Sequence, residues 1–137
     1  MERLIIFLQL AIVVFFIGGC GKNTIETMNE IKWTKITSEE AKEIIDNEND
    51  IIILDVRSES EYKEGHISNS ILIPVSELES KAENLLKEKE QTILIYCRSG
   101  NRSAKAAEIL SKLGYTNIYD FGGINSWTYG IEKEKLG

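Results

Sequence analysis

In YCRSGNRSAKAAEIL, residues 96–110, a cysteine closes an apolar run and a helical pattern begins just after it. Between the two lie Arg98, Ser99, Gly100, Asn101, Arg102 and Ser103. A thiol attacks only once it has ionised, and with an ordinary pKa of about 8.5 roughly 3% is thiolate at pH 7. Three features of this stretch favour the anion. The backbone N–H groups of residues 98–103 can curl around one point, a nest that adds to a helix N-terminus. Gly100 lets the turn take a positive φ. Arg98 and Arg102 bring full charge and forked donors. The only histidine in the chain, His66, is far away in sequence, so activation of Cys97 is expected to be electrostatic rather than by a base. The plainer alternative is a small residue that merely ends a strand.

The spacing also limits the target. A cysteine, a ring of amides and an arginine describe cysteine-dependent phosphatases, which carry C-x5-R. Here Cys97 and Arg102 are in C-x4-R spacing. One residue fewer makes a tighter ring, too small for a tetrahedral phosphoryl group and roomy enough for one extra sulfur atom. Sulfur transfer is therefore favoured over phosphoryl transfer. The reading requires amides that converge on the sulfur and a thiol that opens to solvent.

Such a loop must be held by a scaffold, and the pattern around it alternates. Strands are expected at 33–36, 51–56, 71–73, 92–97 and 117–121. IIILDV and TILIYC are continuous Ile/Leu/Val runs, as in strands buried on both faces. Helices lie between. Thr37 with Glu40, Ser58 with Glu61 and Ser76 with Glu79 have capping-box spacing. Ala106, Leu110 and Leu113 form one stripe after Cys97, with Gly114 where a C-terminal cap belongs. Strand–helix alternation predicts an α/β fold with a parallel sheet covered on both faces. Ligands bind such sheets at the carboxyl ends of strands, where Cys97 sits.

Three motifs in order resemble the rhodanese-like domains, specifically the single-domain sulfurtransferases, over about residues 33–131. CRSGNRS (97–103) resembles their active-site loop. ILDVRSESEYKEGHISNSILIP (53–74) resembles a first signature, through Asp55, Arg57, Glu61, Tyr62, Gly65, His66, Ile67 and Pro74. YDFGGINSW (119–127) resembles a closing signature, through Gly122, Gly123 and Trp127. Asn69–Ser70 stands where the family often has Gly-Ala. The resemblance implies a three-layer fold with a central, mostly parallel five-stranded sheet flanked by helices. It implies that Cys97 accepts a sulfane sulfur from thiosulfate or a similar small anionic donor and passes it to cyanide or a thiol. Residues 98–103 would form the substrate loop, with Arg98 and Arg102 holding the donor's sulfonate end or, as the alternative, bracing the loop against an acidic residue. Asp55 and Arg57 would support it, as a buried pair first and as pocket lining second. His66 would belong to a structural turn and Trp127 to the core. No cofactor and no metal is implied.

The N-terminus differs in kind. LIIFLQLAIVVFFIGG (4–19) is apolar except for Gln9 and follows Arg3, a length suited to a secretory signal rather than a spanning helix. It ends in IGGC, which resembles the lipobox of bacterial lipoproteins, cut before a cysteine that is then lipidated. The expected organisation is a signal peptide at 1–19, a polar tether at 20–32 starting at lipidated Cys20, and the domain at 33–137. An extracytoplasmic protein, lipid-anchored to a bacterial membrane, follows; the alternative is an uncleaved membrane anchor or a cleaved signal with an unmodified cysteine. Cys97 would be left as the lone thiol, with no disulfide partner. The net charge of −6 and the lack of a basic stripe argue against nucleic acid. A monomer is expected. Two rivals stay open: a non-catalytic module that binds a partner or presents a persulfide, and a phosphatase or arsenate reductase on the same scaffold.

Overall fold

The computed structural model describes residues 30–134. The expected signal peptide, Cys20 and most of the expected tether lie outside the described residues.

Five strands form one sheet: β1 (Thr34–Lys35), β2 (Ile51–Asp55), β3 (Ser70–Leu72), β4 (Thr92–Cys97) and β5 (Ile118–Gly123). Their order is β1-β5-β4-β2-β3, and every neighbouring pair is parallel. Four helices connect them: α1 (Ser38–Asn47), α2 (Glu59–Glu64), α3 (Val75–Leu85) and α4 (Asn101–Lys112). The expected three-layer architecture is present.

Apolar runs fill the interiors of the central strands because both of their faces are covered. Leu54, Ile93, Ile95 and Cys97 face one core, shared with Leu78 and Ala82 of α3 and Ala106, Ala107 and Leu110 of α4. Ile53, Leu94 and Tyr96 face the other, shared with Ala41 of α1, Phe121 and the partly buried Trp127. Trp33 packs against the first core.

Local signals set most of the helix ends. Thr37 and Ser58 are N-caps with complete capping boxes to Glu40 and Glu61. The helix α4 stops in a Schellman arrangement, with Gly114 at φ 93° and the N–H of Tyr115 donating to the carbonyl of Leu110 at 3.1 Å. Ser76 is a correction. It lies inside α3, which Pro74 caps without a side-chain hydrogen bond. The N–H of Val75 is taken by the carbonyl of Val56 at 3.0 Å, so tertiary contact starts the helix before Ser76 can cap it. Asn69 has φ 62°, a conformation that suits glycine and that asparagine tolerates better than most residues. Beside it, the buried Ser70 meets the hydroxyl of Tyr96 at 3.2 Å.

Candidate active site

The strand order reverses between β2 and β4, which opens a crevice at their carboxyl ends. Asp55 ends β2 and Cys97 ends β4. Gly123 ends β5 and pairs with Cys97 after a bulge. The loop from Arg98 to Gly100 then turns into α4, with Gly100 at φ 111° as its N-cap.

The loop closes around the sulfur. The N–H of Gly100 donates to Cys97 Sγ at 3.0 Å, and Ser103 Oγ lies 3.5 Å from it. Burial pushes the Cys97 thiol up, but hydrogen bonds from the Ser103 hydroxyl and from the amides of Ser103, Gly100 and Ser99 outweigh it and bring the pKa below the ordinary thiol value. Ser103 is fully buried, and its hydroxyl also lies 3.0 Å and 3.2 Å from the carbonyls of Gly100 and Gly122. It can donate to these carbonyls beside a thiol and turn to the sulfur beside a thiolate. A hydrogen bond to a charged group contributes about 1.5–3 kcal/mol, so Ser103→Ala is expected to slow thiolate-dependent alkylation of Cys97 about tenfold or more at pH 6. Loss of a donor to the charged form raises the pKa, so the rate profile moves to higher pH and the two proteins converge in alkali. An unmoved profile would assign Ser103 to packing alone.

The Gly100 amide on Sγ accords with the first requirement of the sequence reading. The second is not met in this conformation: Cys97 keeps 1% of its surface. The sulfur forms the floor of the loop instead of opening to solvent, because the loop amides that reach it also cover it. A cleft of about 520 Å³ flanks the site, lined among others by Arg57, Glu61, Asn125, Trp127 and Ile131. A second flanking cleft touches Ser99, Gly122 and Gly123.

Both loop arginines turn toward one carboxylate. Arg102 Nη1 and Nη2 donate to Glu61 Oε2 and Oε1 at 2.7 and 2.8 Å, and Arg98 Nε donates to Oε1 at 3.1 Å. The Ser58 amide and hydroxyl donate to the same carboxylate at 3.0 and 2.9 Å. The Arg102 guanidinium, opposed by burial and helped by Ser58, holds the Glu61 carboxyl well below the usual range. The capping residue of a short helix is thereby the brace of the loop. Glu61 stands in the motif that the sequence presents, but its capping-box spacing accounts for it without any tie to the loop.

Asp55 and Arg57 form the buried pair expected of them. Arg57 Nη2 donates to Asp55 Oδ2 at 2.7 Å and to the carbonyl of Gly65 at 2.7 Å, and the Arg57 amide donates to Asp55 Oδ1 at 2.9 Å. Arg57 also lines the larger cleft. Removing one partner of a buried pair costs about 3–5 kcal/mol, because the other charge stays uncompensated. Asp55→Ala is therefore expected to lower the denaturation free energy by that amount. A change below about 1 kcal/mol, typical of exposed pairs, would contradict the burial.

Of the other loop residues, Arg98, Ser99 and Asn101 are exposed, and Ser99 serves the sulfur through its amide. His66 stacks on Tyr62 at 3.8 Å, and its Nδ1 lies 2.9 Å from the carbonyl of Tyr62. Its backbone pairs with that of Glu132. Among the described residues, no group of three or more histidine, cysteine or acidic side chains could hold a metal ion.

A family model for the rhodanese-like domain matches residues 37–129. The chain is 35% identical over 71 residues to the thiosulfate sulfurtransferase PspE of Escherichia coli, covering 52% of this chain and 68% of that protein. It is 32% identical over 96 residues to the thiosulfate sulfurtransferase GlpE of Coxiella burnetii, covering 69% and 87%. The crystal structure of a rhodanese-related protein from Thermoplasma volcanium superposes with a TM-score of 0.65 at 38% identity, covering 74% of this chain and 99% of that one.

Proposed function

The chain belongs to the rhodanese-like domain family, and from that premise we propose that it is a sulfurtransferase whose Cys97 carries the sulfur as a persulfide. The observation that carries this reading is the Gly100 N–H donating to Cys97 Sγ at 3.0 Å with the Ser103 hydroxyl 3.5 Å away, in a loop that lowers the thiol pKa. Those donors favour the thiolate before transfer, and the transferred sulfur would need the same stabilisation after it.

In the first step the Cys97 thiolate attacks the outer, sulfane sulfur of the donor. A sulfur–sulfur bond forms at Sγ, and the bond inside the donor breaks with its electron pair on the leaving group. With thiosulfate the leaving group is sulfite. With a thiol persulfide it is the thiolate, and the proton stays on the transferred sulfur or passes to water. In the second step an acceptor takes that sulfur and the Cys97 thiolate returns. Cyanide leaves as thiocyanate, and a thiolate leaves as a persulfide. The thiol activation described for the loop involves no base, and the Nδ1 of His66 is occupied by the carbonyl of Tyr62. The burial of Cys97 demands that the donor present one narrow sulfur atom or that the loop yield around it. Either condition suits a sulfane tip better than a tetrahedral phosphate.

The place of this activity is proposed to be a membrane surface outside the cytoplasm, with lipid on Cys20 and the segment 20–32 as a tether. The support is the apolar stretch at 4–19 and the IGGC that ends it. Two acyl chains give stable anchoring. An uncut N-terminus on the mature protein would remove this part of the proposal.

The test of the transfer is incubation with thiosulfate or with a thiol persulfide, followed by mass spectrometry. The peptide containing Cys97 is expected to gain about 32 Da, the mass of one sulfur atom, and to lose it on treatment with cyanide. A second reading is a non-catalytic module that docks a partner or presents a persulfide, and the 1% exposure of Cys97 is what favours it. Loading followed by multiple turnovers separates catalysis from both forms of that module.

A further inference from the structure

Three arginines stand at the mouth of the proposed transfer site, yet little positive charge is free there. Arg57 is spent on Asp55. Arg102 gives both Nη groups to Glu61, and Arg98 gives its Nε. The Glu61 side chain is only 14% exposed, and the capping box locks it in place through Ser58. It therefore cannot swing aside without uncapping α2. With Glu61 ionised, the two loop guanidiniums and this carboxylate leave one net positive charge, which the Cys97 thiolate cancels. Glu64 adds a further acid to the wall of the larger cleft, beside apolar Ile124, Trp127 and Ile131. A protein of net charge −6 supplies no compensating field around it.

We propose that Glu61 sets the donor class, turning the site away from dianions such as thiosulfate and toward sulfane donors of low charge, above all persulfides of uncharged thiols. This inference rests on the transfer reading above. The reacting step is the one already balanced: the Cys97 thiolate takes the terminal sulfur of R–S–SH, the sulfur–sulfur bond of the donor breaks, and R–S⁻ leaves. A donor of this kind brings at most one negative charge to a mouth that is neutral once Cys97 ionises. Thiosulfate brings two, with only the Nη groups of Arg98 and the Nε of Arg102 left unclaimed by Glu61.

Single-turnover loading of Cys97 tests this with two donors, thiosulfate and the persulfide of N-acetylcysteine amide. Intrinsic donor reactivity cancels when the ratio of the two rates is compared between wild type and Glu61→Gln. Glutamine keeps the length of the side chain and an oxygen for Arg102 and Ser58, and it removes the charge. Glu61→Gln is expected to raise the thiosulfate-to-persulfide ratio about tenfold, equivalent to ~1.4 kcal/mol. A ratio that stays the same or falls, including an equal loss with both donors, overturns the inference and leaves Glu61 as a brace only. Salt dependence in the wild type provides a reading that needs no variant. A mouth without free positive charge predicts thiosulfate loading that is flat or rises as salt is added. A steep fall with salt, absent with the persulfide, overturns the inference as well. If neither donor adds sulfur to either protein, the transfer reading itself fails and this inference with it. Loading with an unchanged ratio sinks this inference alone.

Discussion

Cys97→Ala is expected to gain no sulfur from any donor and to form thiocyanate at the uncatalysed rate, a loss of about a thousandfold or more. The transferred sulfur has to be bonded to something between donor and acceptor. No other cysteine lies among the described residues, and Cys20 is assigned to the lipid in the proposed mature protein. The fold should survive the change. The Cys97 side chain packs in the core beside Ala106, Ala107 and Leu110, and loss of one buried sulfur atom is a small cavity, costing about 1–2 kcal/mol. Far-ultraviolet dichroism and a melting curve establish that the variant is folded. Thiocyanate release under cyanide excess then measures the chemistry. Retained turnover in a folded Cys97→Ala protein would end the assignment, because a neighbouring side chain or direct donor–acceptor reaction would have to be responsible.

Gly123→Ala is expected to be the next most damaging change, by a different route. The backbone of Gly123 is ordinary, with φ −136°, so alanine meets no conformational objection. Its Cβ meets a wall instead. It would collide with the carbonyl oxygen and carbon of Arg98 and stand 2.7 Å from the amide nitrogen of Ser99. All three are backbone atoms, so no side chain can swing out of the way. Strand β5 is held by its ladder to β4, which leaves the loop as the part that moves. Displacing the Ser99 and Gly100 amides from the sulfur removes donors to the thiolate, raises the pKa and spoils the line of attack. A misplacement of about 1 Å at a reacting centre costs about a hundredfold in rate. Overpacking of this kind costs about 1–3 kcal/mol in stability. Gly122→Ala is the contrasting control. Gly122 has φ 86° with no atom within 4 Å of an added Cβ, so the penalty is backbone strain without a clash against the loop. Loading rates should therefore fall far more for Gly123→Ala than for Gly122→Ala. Equal effects would mean that the close approach of β5 to the loop is unimportant.

Much of this was readable along the chain because its causes are local. Buried strands show as unbroken runs of Ile, Leu and Val, and the run at 92–97 coincides with β4 to the residue. Thr37, Ser58 and Gly114 mark their helix ends through hydrogen bonds that span only a few residues. The anion cradle is equally local, since Cys97, Gly100 and Ser103 lie within seven consecutive positions. The Asp55–Arg57 pair spans two residues and emerged as expected.

What failed or stayed hidden involves residues far apart. A strand expected at 117–121 runs on to Gly123, because a bulge re-aligns that residue with Cys97. Ser76 has a cap's spacing, yet a hydrogen bond from Val75 to the carbonyl of Val56 starts the helix earlier. The loop arginines read as donor ligands or as a brace against an acidic residue that the sequence could not name. They are held by a carboxylate 37 and 41 positions away. Residue types and short-range spacing specify hydrogen bonds that close within a turn or along a strand, so strands, caps and the sulfur cradle follow from consecutive residues. Which distant side chain meets the cradle depends on the order of strands in the sheet. Only the folded packing of β2, β4 and β5 brings Glu61 against the arginines and Gly123 against the loop backbone.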